Sequence, residues 1–160
     1  MKLMRLRIKS KLLRCILTAA LPVILVALAG VLIVGSRWFE GLIEPGNMPP
    51  GWLFLVVWGI TYILVGITVY FACCEGSLQA NKKLRWYYIL SGILNIAWMA
   101  LIRLRWLVPA FIVLLAYFVI SMLLYGEFKP ERRWARYLLV PYIIWVFFAG
   151  VINYSAVMLN

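Results

Sequence analysis

The sequence predicts an all-α membrane protein, a bundle of five transmembrane helices with its N-terminus in the cytoplasm and its C-terminus outside. Three observations carry this reading. The 160 residues are 66% apolar and only 13% charged, whereas a soluble domain is nearer half apolar and a quarter charged. The mean hydropathy of +0.99 leaves too little polar side chain to cover a water-facing surface. No alternating apolar–polar pattern runs along the chain, which argues for helices rather than a barrel. An ordinary soluble enzyme, a disordered tail and a free nucleic-acid-binding domain are all excluded.

Five apolar stretches predict the spans: residues 12–35, 52–74, 86–102, 106–126 and 137–159. Each is close to the roughly 20 residues that cross a hydrocarbon core of about 30 Å, and the third is the shortest. The first has a basic leader, yet its apolar run exceeds the roughly 7–15 residues of a signal-peptide core. It reads as a retained span. With no internal repeat and no low-complexity tract, residues 1–160 form one domain.

Connecting segments set the orientation. Lys2, Arg5, Arg7, Lys9, Lys11 and Arg14 precede the first span. Lys82, Lys83 and Arg85 follow the second, and Lys129, Arg132, Arg133 and Arg136 follow the fourth. Thirteen basic residues thus face one side, against Arg37, Arg103 and Arg105 on the other. The richer side is cytoplasmic by the positive-inside rule. The net charge of +11 therefore reports topology, and no nucleic-acid partner is assigned. The protein is placed as a multi-pass component of a cell membrane, the cytoplasmic (inner) membrane if the source is bacterial, in contact with its lipids.

Little inside the spans can do acid–base or metal chemistry. No Asp, Glu, Lys or Arg lies in a span interior, unlike in ion-coupled pumps and exporters. The chain has no histidine, and Cys15, Cys73 and Cys74 lack metal-ligand spacing, so neither a metal site nor a cofactor is expected. The buried polar residues are neutral: Thr61, Tyr62, Thr68, Ser91, Asn95, Tyr117, Ser121, Tyr142, Asn153 and Tyr154. For each, bonding between helices outweighs ligand contact. Pro22 and Pro141, inside spans, are expected to kink the backbone and free the carbonyls of Thr18 and Tyr137.

Aromatic residues are the sharper signal, at 16% with eight tryptophans. Trp86, Trp106 and Trp134 flank spans as interfacial anchors. Trp58, Trp98 and Trp145 instead sit well inside. Phe54, Trp58, Tyr62 and Gly66 recur every four residues and share a helix face, as do Trp145, Ala149 and Asn153, and Asn95 with Trp98. Counting about 1.5 Å per residue from the outer helix ends puts Trp58, Trp98 and Asn153 roughly 6–9 Å deep and Trp145 about 21 Å deep. The groups converge either as a ligand pocket or as a packed aromatic core.

These residues carry a resemblance. Trp38-Phe39, then Pro49-Pro50-Gly51-Trp52-Leu53-Phe54 and Val57-Trp58 with Tyr62 and Gly66, look like the loop and second helix of the TspO/MBR family. Leu94-Asn95-Ile96-Ala97-Trp98 resembles its third-helix motif. Leu138-Leu139-Val140-Pro141-Tyr142, Trp145, Phe148-Ala149 and Ile152-Asn153-Tyr154 resemble its last-helix signature. The resemblance implies a five-helix bundle, often a homodimer, that binds porphyrins (protoporphyrin IX-like tetrapyrroles) or another flat amphipathic ligand under the loop between helices 1 and 2. It implies a lid containing Trp38, Phe39, Pro49 and Pro50, and a pocket lined by Trp58, Asn95, Trp98, Trp145, Phe148 and Ala149. Phe54, Tyr62 and Asn153 share those faces and complete the candidate site.

Three functions follow as expectations: a receptor or carrier for porphyrins, an enzyme for light- and oxygen-dependent porphyrin degradation with Trp58 and Trp145 as catalytic residues, and a scaffold or chaperone subunit with no small-molecule site. The second rests on the resemblance alone. Several positions depart from the family pattern. Asn47 and Met48 occupy the region of the lid tryptophan, Phe39 replaces a tyrosine, Met99 a serine, and Ser91 a position that is often glutamine. Tyr154 is not followed by the Lys or Arg of the proposed sterol motif, so the resemblance does not extend to sterol recognition.

Overall fold

The computed structural model describes residues 2–34, 42–46, 48–128 and 133–160. Arg37, Trp38, Phe39, Asn47, Lys129 and Arg132 lie outside the described residues. Helices make up the regular structure: α1 (Lys2–Val34), α2 (Gly51–Cys74), α3 (Ser77–Ala80), α4 (Lys82–Arg103), α5 (Leu107–Gly126), α6 (Arg133–Tyr137) and α7 (Val140–Leu159). The long ones pack in a ring, in the order α1, α2, α7, α5, α4 and back to α1.

Local chemistry sets the helix ends. The Pro50 carbonyl opens α2 by accepting from Leu53 N and Phe54 N, at 2.9 and 3.1 Å. Asn81 caps α4, its side chain accepting from Leu84 N at 3.1 Å. This satisfies a donor that would otherwise be orphaned and starts the helix a turn before the apolar stretch at Trp86. Asn81 Nδ2 also donates to Glu127 at 2.9 Å, joining the start of α4 to the end of α5. Between α4 and α5, Trp106 N reaches back to Leu101 O at 3.0 Å and Arg105 N to Ile102 O at 2.9 Å. This is the Schellman pattern, with Arg105 left-handed at φ 61, a position usually given to glycine. The tight reversal lays α5 antiparallel beside α4.

Four of the segments are long and apolar enough to cross a membrane: 11–31, 51–74, 107–126 and 134–159. α4 is as long, but Trp86, Tyr87, Tyr88 and Asn95 dilute its apolar content. The expected kink at Pro141, within the last of these segments, needs a correction. The segment is broken at Leu138 and Leu139, which bond back to Ala135 O and Arg136 O at 3.3 and 3.0 Å, so α6 and α7 are separate. Pro141 therefore lies in the first turn of α7 rather than in a helix interior. Its missing N–H has no partner to lose there. Pro22, by contrast, is inside α1, and that helix runs through it unbroken.

Burial is arranged for an apolar solvent. Large side chains such as Leu17, Leu28, Ile63, Ile93, Ile112, Val119 and Ile144 point outward, while Thr68, Asn95 and Ser121 are fully buried. Polar groups inside and apolar groups outside suit hydrocarbon, where an unpaired polar atom is costly. The interior hydroxyls are paired. Tyr88 donates to Thr68 at 2.7 Å, and Ser121 donates to Tyr117 O at 2.8 Å.

α1 is the most peripheral helix and meets α2 along small residues. A Cβ added at Gly66 would stand 3.1 Å from Val23 Cγ2 and 3.3 Å from Ala19 O. Alanine there requires a shift of a few tenths of an ångström, and leucine cannot fit without separating the helices. The G66L protein should lose about 1–3 kcal/mol of stability, read as a lower thermal unfolding midpoint in detergent. G66A should stay close to the parent.

Candidate ligand site

The site forms where α2, α4 and α7 face one another. Spacing along α2 puts Phe54, Trp58 and Tyr62 on its inner face, with Trp58 and Tyr62 buried and Phe54 half-buried. The Trp58 and Tyr62 rings stack at 5.1 Å with an interplanar angle of 16°. Trp98 from α4 approaches Trp58 at 5.7 Å. Trp145 from α7 meets Trp58 edge-on at 6.3 Å, Phe54 at 5.4 Å and Phe148 at 5.4 Å. Ala149, buried one turn beyond Trp145, keeps this face of α7 narrow. The predicted residues of the three helices are thus brought together.

The Trp58–Trp145 contact changes the predicted depths. Counting along helices placed Trp145 well below Trp58, but their rings touch. Counting along each helix from its own end does not fix how α2 and α7 stand relative to each other. The described part of the connecting loop, residues 42–46 and 48–50, meets the end of α7. Pro45 is buried, Pro49 half-buried and Pro50 exposed at the cap of α2. Ile43 and Asn160 clasp each other: Asn160 Oδ1 accepts from Ile43 N at 2.8 Å, and Asn160 Nδ2 donates to Ile43 O at 3.2 Å. Sequence reasoning missed Asn160, because nothing local marks a pair 117 residues apart. The lid residues Trp38 and Phe39 lie outside the described residues.

The two asparagines behave differently. Asn153 is fully engaged, accepting from Trp98 Nε1 at 3.1 Å and donating to Leu107 O at 3.1 Å. It ties α7 to α4 and to the start of α5 while holding the Trp98 ring in place. Asn95 is completely buried, and its Nδ2 reaches the weak acceptor Met99 Sδ at 3.8 Å. Among the described residues, Asn95 Oδ1, Trp58 Nε1 and Trp145 Nε1 are buried with no hydrogen-bond partner. Such groups are exceptional in native interiors.

Deeper in the bundle, Tyr142 extends the cluster, with its ring 6.5 Å from Tyr62 and 5.8 Å from Tyr117. Tyr117 and Tyr142 stood in the neutral polar inventory, where spacing did not tie them to the tryptophans as it did Tyr62. An open cavity of about 690 Å³ lies toward the other end, lined by Phe71, Glu75, Asn81, Lys82, Glu127 and Phe128 among others. None of the predicted site residues borders it. No group of three or more potential metal ligands occurs among the described residues.

Apolar helices with a buried, tryptophan-rich wall define a multi-pass membrane protein whose interior presents aromatic faces and a few unpaired polar atoms. Residues 18–159 match the TspO/MBR family, and the chain belongs to it. The tryptophan-rich protein TspO of Chlorobaculum tepidum is 33% identical over 133 residues, covering 78% of this chain and 80% of that protein. The tryptophan-rich protein TspO of Archaeoglobus fulgidus is 29% identical over 130 residues, covering 78% and 81% respectively. The bovine translocator protein is 26% identical over 126 residues, covering 75% and 73%.

Proposed function

We propose that this protein is a membrane receptor or carrier for flat amphipathic ligands of the porphyrin class. In this reading all five long helices cross a cell membrane, with the N-terminus cytoplasmic and the C-terminus outside. The ligand binds beneath the loop between α1 and α2. One observation carries the proposal: two indole N–H donors and one amide oxygen are buried without partners in the wall of the cluster. Left unpaired they cost about 1–3 kcal/mol each. A planar macrocycle with polar atoms at its rim offers aromatic area to Trp58, Trp98 and Trp145, acceptors to the two indoles, and a donor to Asn95. Asn153 acts indirectly here, by positioning Trp98. A homodimer in the membrane is part of the proposal and rests on family membership.

The test is a titration of the purified protein with protoporphyrin IX in the dark, followed by tryptophan fluorescence. Saturable quenching is the expected result. Its absence would favour a scaffold with a closed aromatic core. Illuminating the complex in air then separates carrier from enzyme. A carrier leaves the porphyrin absorbance no lower than in a denatured-protein control. Protein-dependent bleaching that slows in Trp58→Phe would instead favour degradation with Trp58 taking part.

A further inference from the structure

The end of the bundle away from the Trp58, Trp98 and Trp145 cluster holds a feature that ligand binding does not use. On α1, Cys15, Ala19 and Val23 are spaced by four and share one face. That face runs antiparallel to Gly66, Val69 and Cys73 of α2. The close helix approach at Gly66 continues along this seam to the two cysteines, whose sulfurs are 2.6 Å apart. Both are free thiols, with 1% and 2% of their surface exposed, and Cys74 beside them is half-buried. Gln79, in α3, donates from Nε2 to Cys73 Sγ at 3.6 Å.

We propose that Cys15 and Cys73 are a peroxide-oxidisable pair that closes into a disulfide stapling α1 to α2. The two sulfurs already touch across the α1–α2 seam, so the helices need not move apart or slide for the bond to form. The oxidant class is a hydroperoxide, represented by hydrogen peroxide, which is small and neutral enough to enter where bulky reagents cannot. Cys73 is taken as the attacking sulfur, because Gln79 Nε2 and the Cys15 thiol both donate to it. Its sulfur bonds to one peroxide oxygen and the O–O bond breaks. The departing hydroxide takes up the thiol proton as water, leaving a sulfenic acid on Cys73. Cys15 Sγ then attacks that sulfur, the S–O bond breaks, and hydroxide leaves with the Cys15 proton as a second water. Two thiols and one peroxide become one disulfide and two waters.

The experiment uses the full chain in lipid nanodiscs. It is treated with hydrogen peroxide, blocked with a maleimide, digested without reductant and analysed by mass spectrometry. The expected product is a cross-linked peptide pair joining Cys15 to Cys73, lighter by two hydrogens than the two thiol peptides and separated by dithiothreitol. It should persist in Cys74→Ser and be lost in Cys73→Ser. Before oxidation, maleimide should label Cys74 in the folded protein and reach the other two only after denaturation. A Cys15–Cys74 link, a link between chains, or Cys15 and Cys73 both still reduced after peroxide treatment would overturn the proposal. These readouts need no ligand, so they stand apart from the porphyrin titration.

Discussion

Replacing Trp145 with alanine should weaken protoporphyrin IX binding by about tenfold to a hundredfold, the loss typical of a buried aromatic anchor. Trp145 meets Phe54, Trp58 and Phe148 at once, so its removal opens one side of the cluster. Fluorescence titration gives the affinity, and circular dichroism establishes that the variant is folded. Trp145→Phe separates the two contributions, since it keeps a ring but removes the buried, unpaired N–H. If the indole donates to the ligand, the phenylalanine protein should fall between the parent and the alanine variant. Affinity unchanged in a folded Trp145→Ala protein would remove the site from this part of α7.

The second large effect is expected on stability. Asn153→Ala deletes the acceptor of Trp98 Nε1 and the donor to Leu107 O. Trp98 Nε1 is then left buried without an acceptor. Interhelical hydrogen bonds in membranes average well below 2 kcal/mol each, while an orphaned buried group costs more than the bond is worth. The sum should be about 1–3 kcal/mol, or a fall of roughly 3–10 °C in the unfolding midpoint. Trp98→Phe removes only the donor and should cost less. If the bond matters, combining the two changes should cost less than the separate losses added together. Strict additivity would mean that Asn153 stabilises the bundle through Leu107 alone.

Much of this arrangement was legible in the sequence wherever the relevant spacing is local. Phe54, Trp58 and Tyr62 declared a shared face by their separation of four. Trp145 and Ala149 did likewise, and the structure places those faces opposite one another. What stayed hidden depends on how helices stand relative to each other. Residue counting cannot say how α2 and α7 stand relative to each other, so it gave no sign that Trp58 and Trp145 touch. It also expected a kink at Pro141, because hydropathy does not show that a new helix begins at Val140. Cys15 and Cys73, 58 positions apart, were judged on spacing alone and carried no sign of meeting. Asn95 and Asn153 read alike as buried amides. Only their partners distinguish a wall tie from a group with an unused acceptor.

The clasp between Ile43 and Asn160 has a kinetic consequence. It consists of two solvent-exposed amide hydrogen bonds, each worth about 0.5–1.5 kcal/mol net. If nothing else resists, such a latch is undone in roughly one molecule in five to one in two hundred at any instant. If a ligand of the proposed class enters beside this contact, it need only wait for an opening that recurs without any input of energy. Replacing Asn160 would shorten that wait and the bound lifetime together, changing exchange rates far more than the strength of binding.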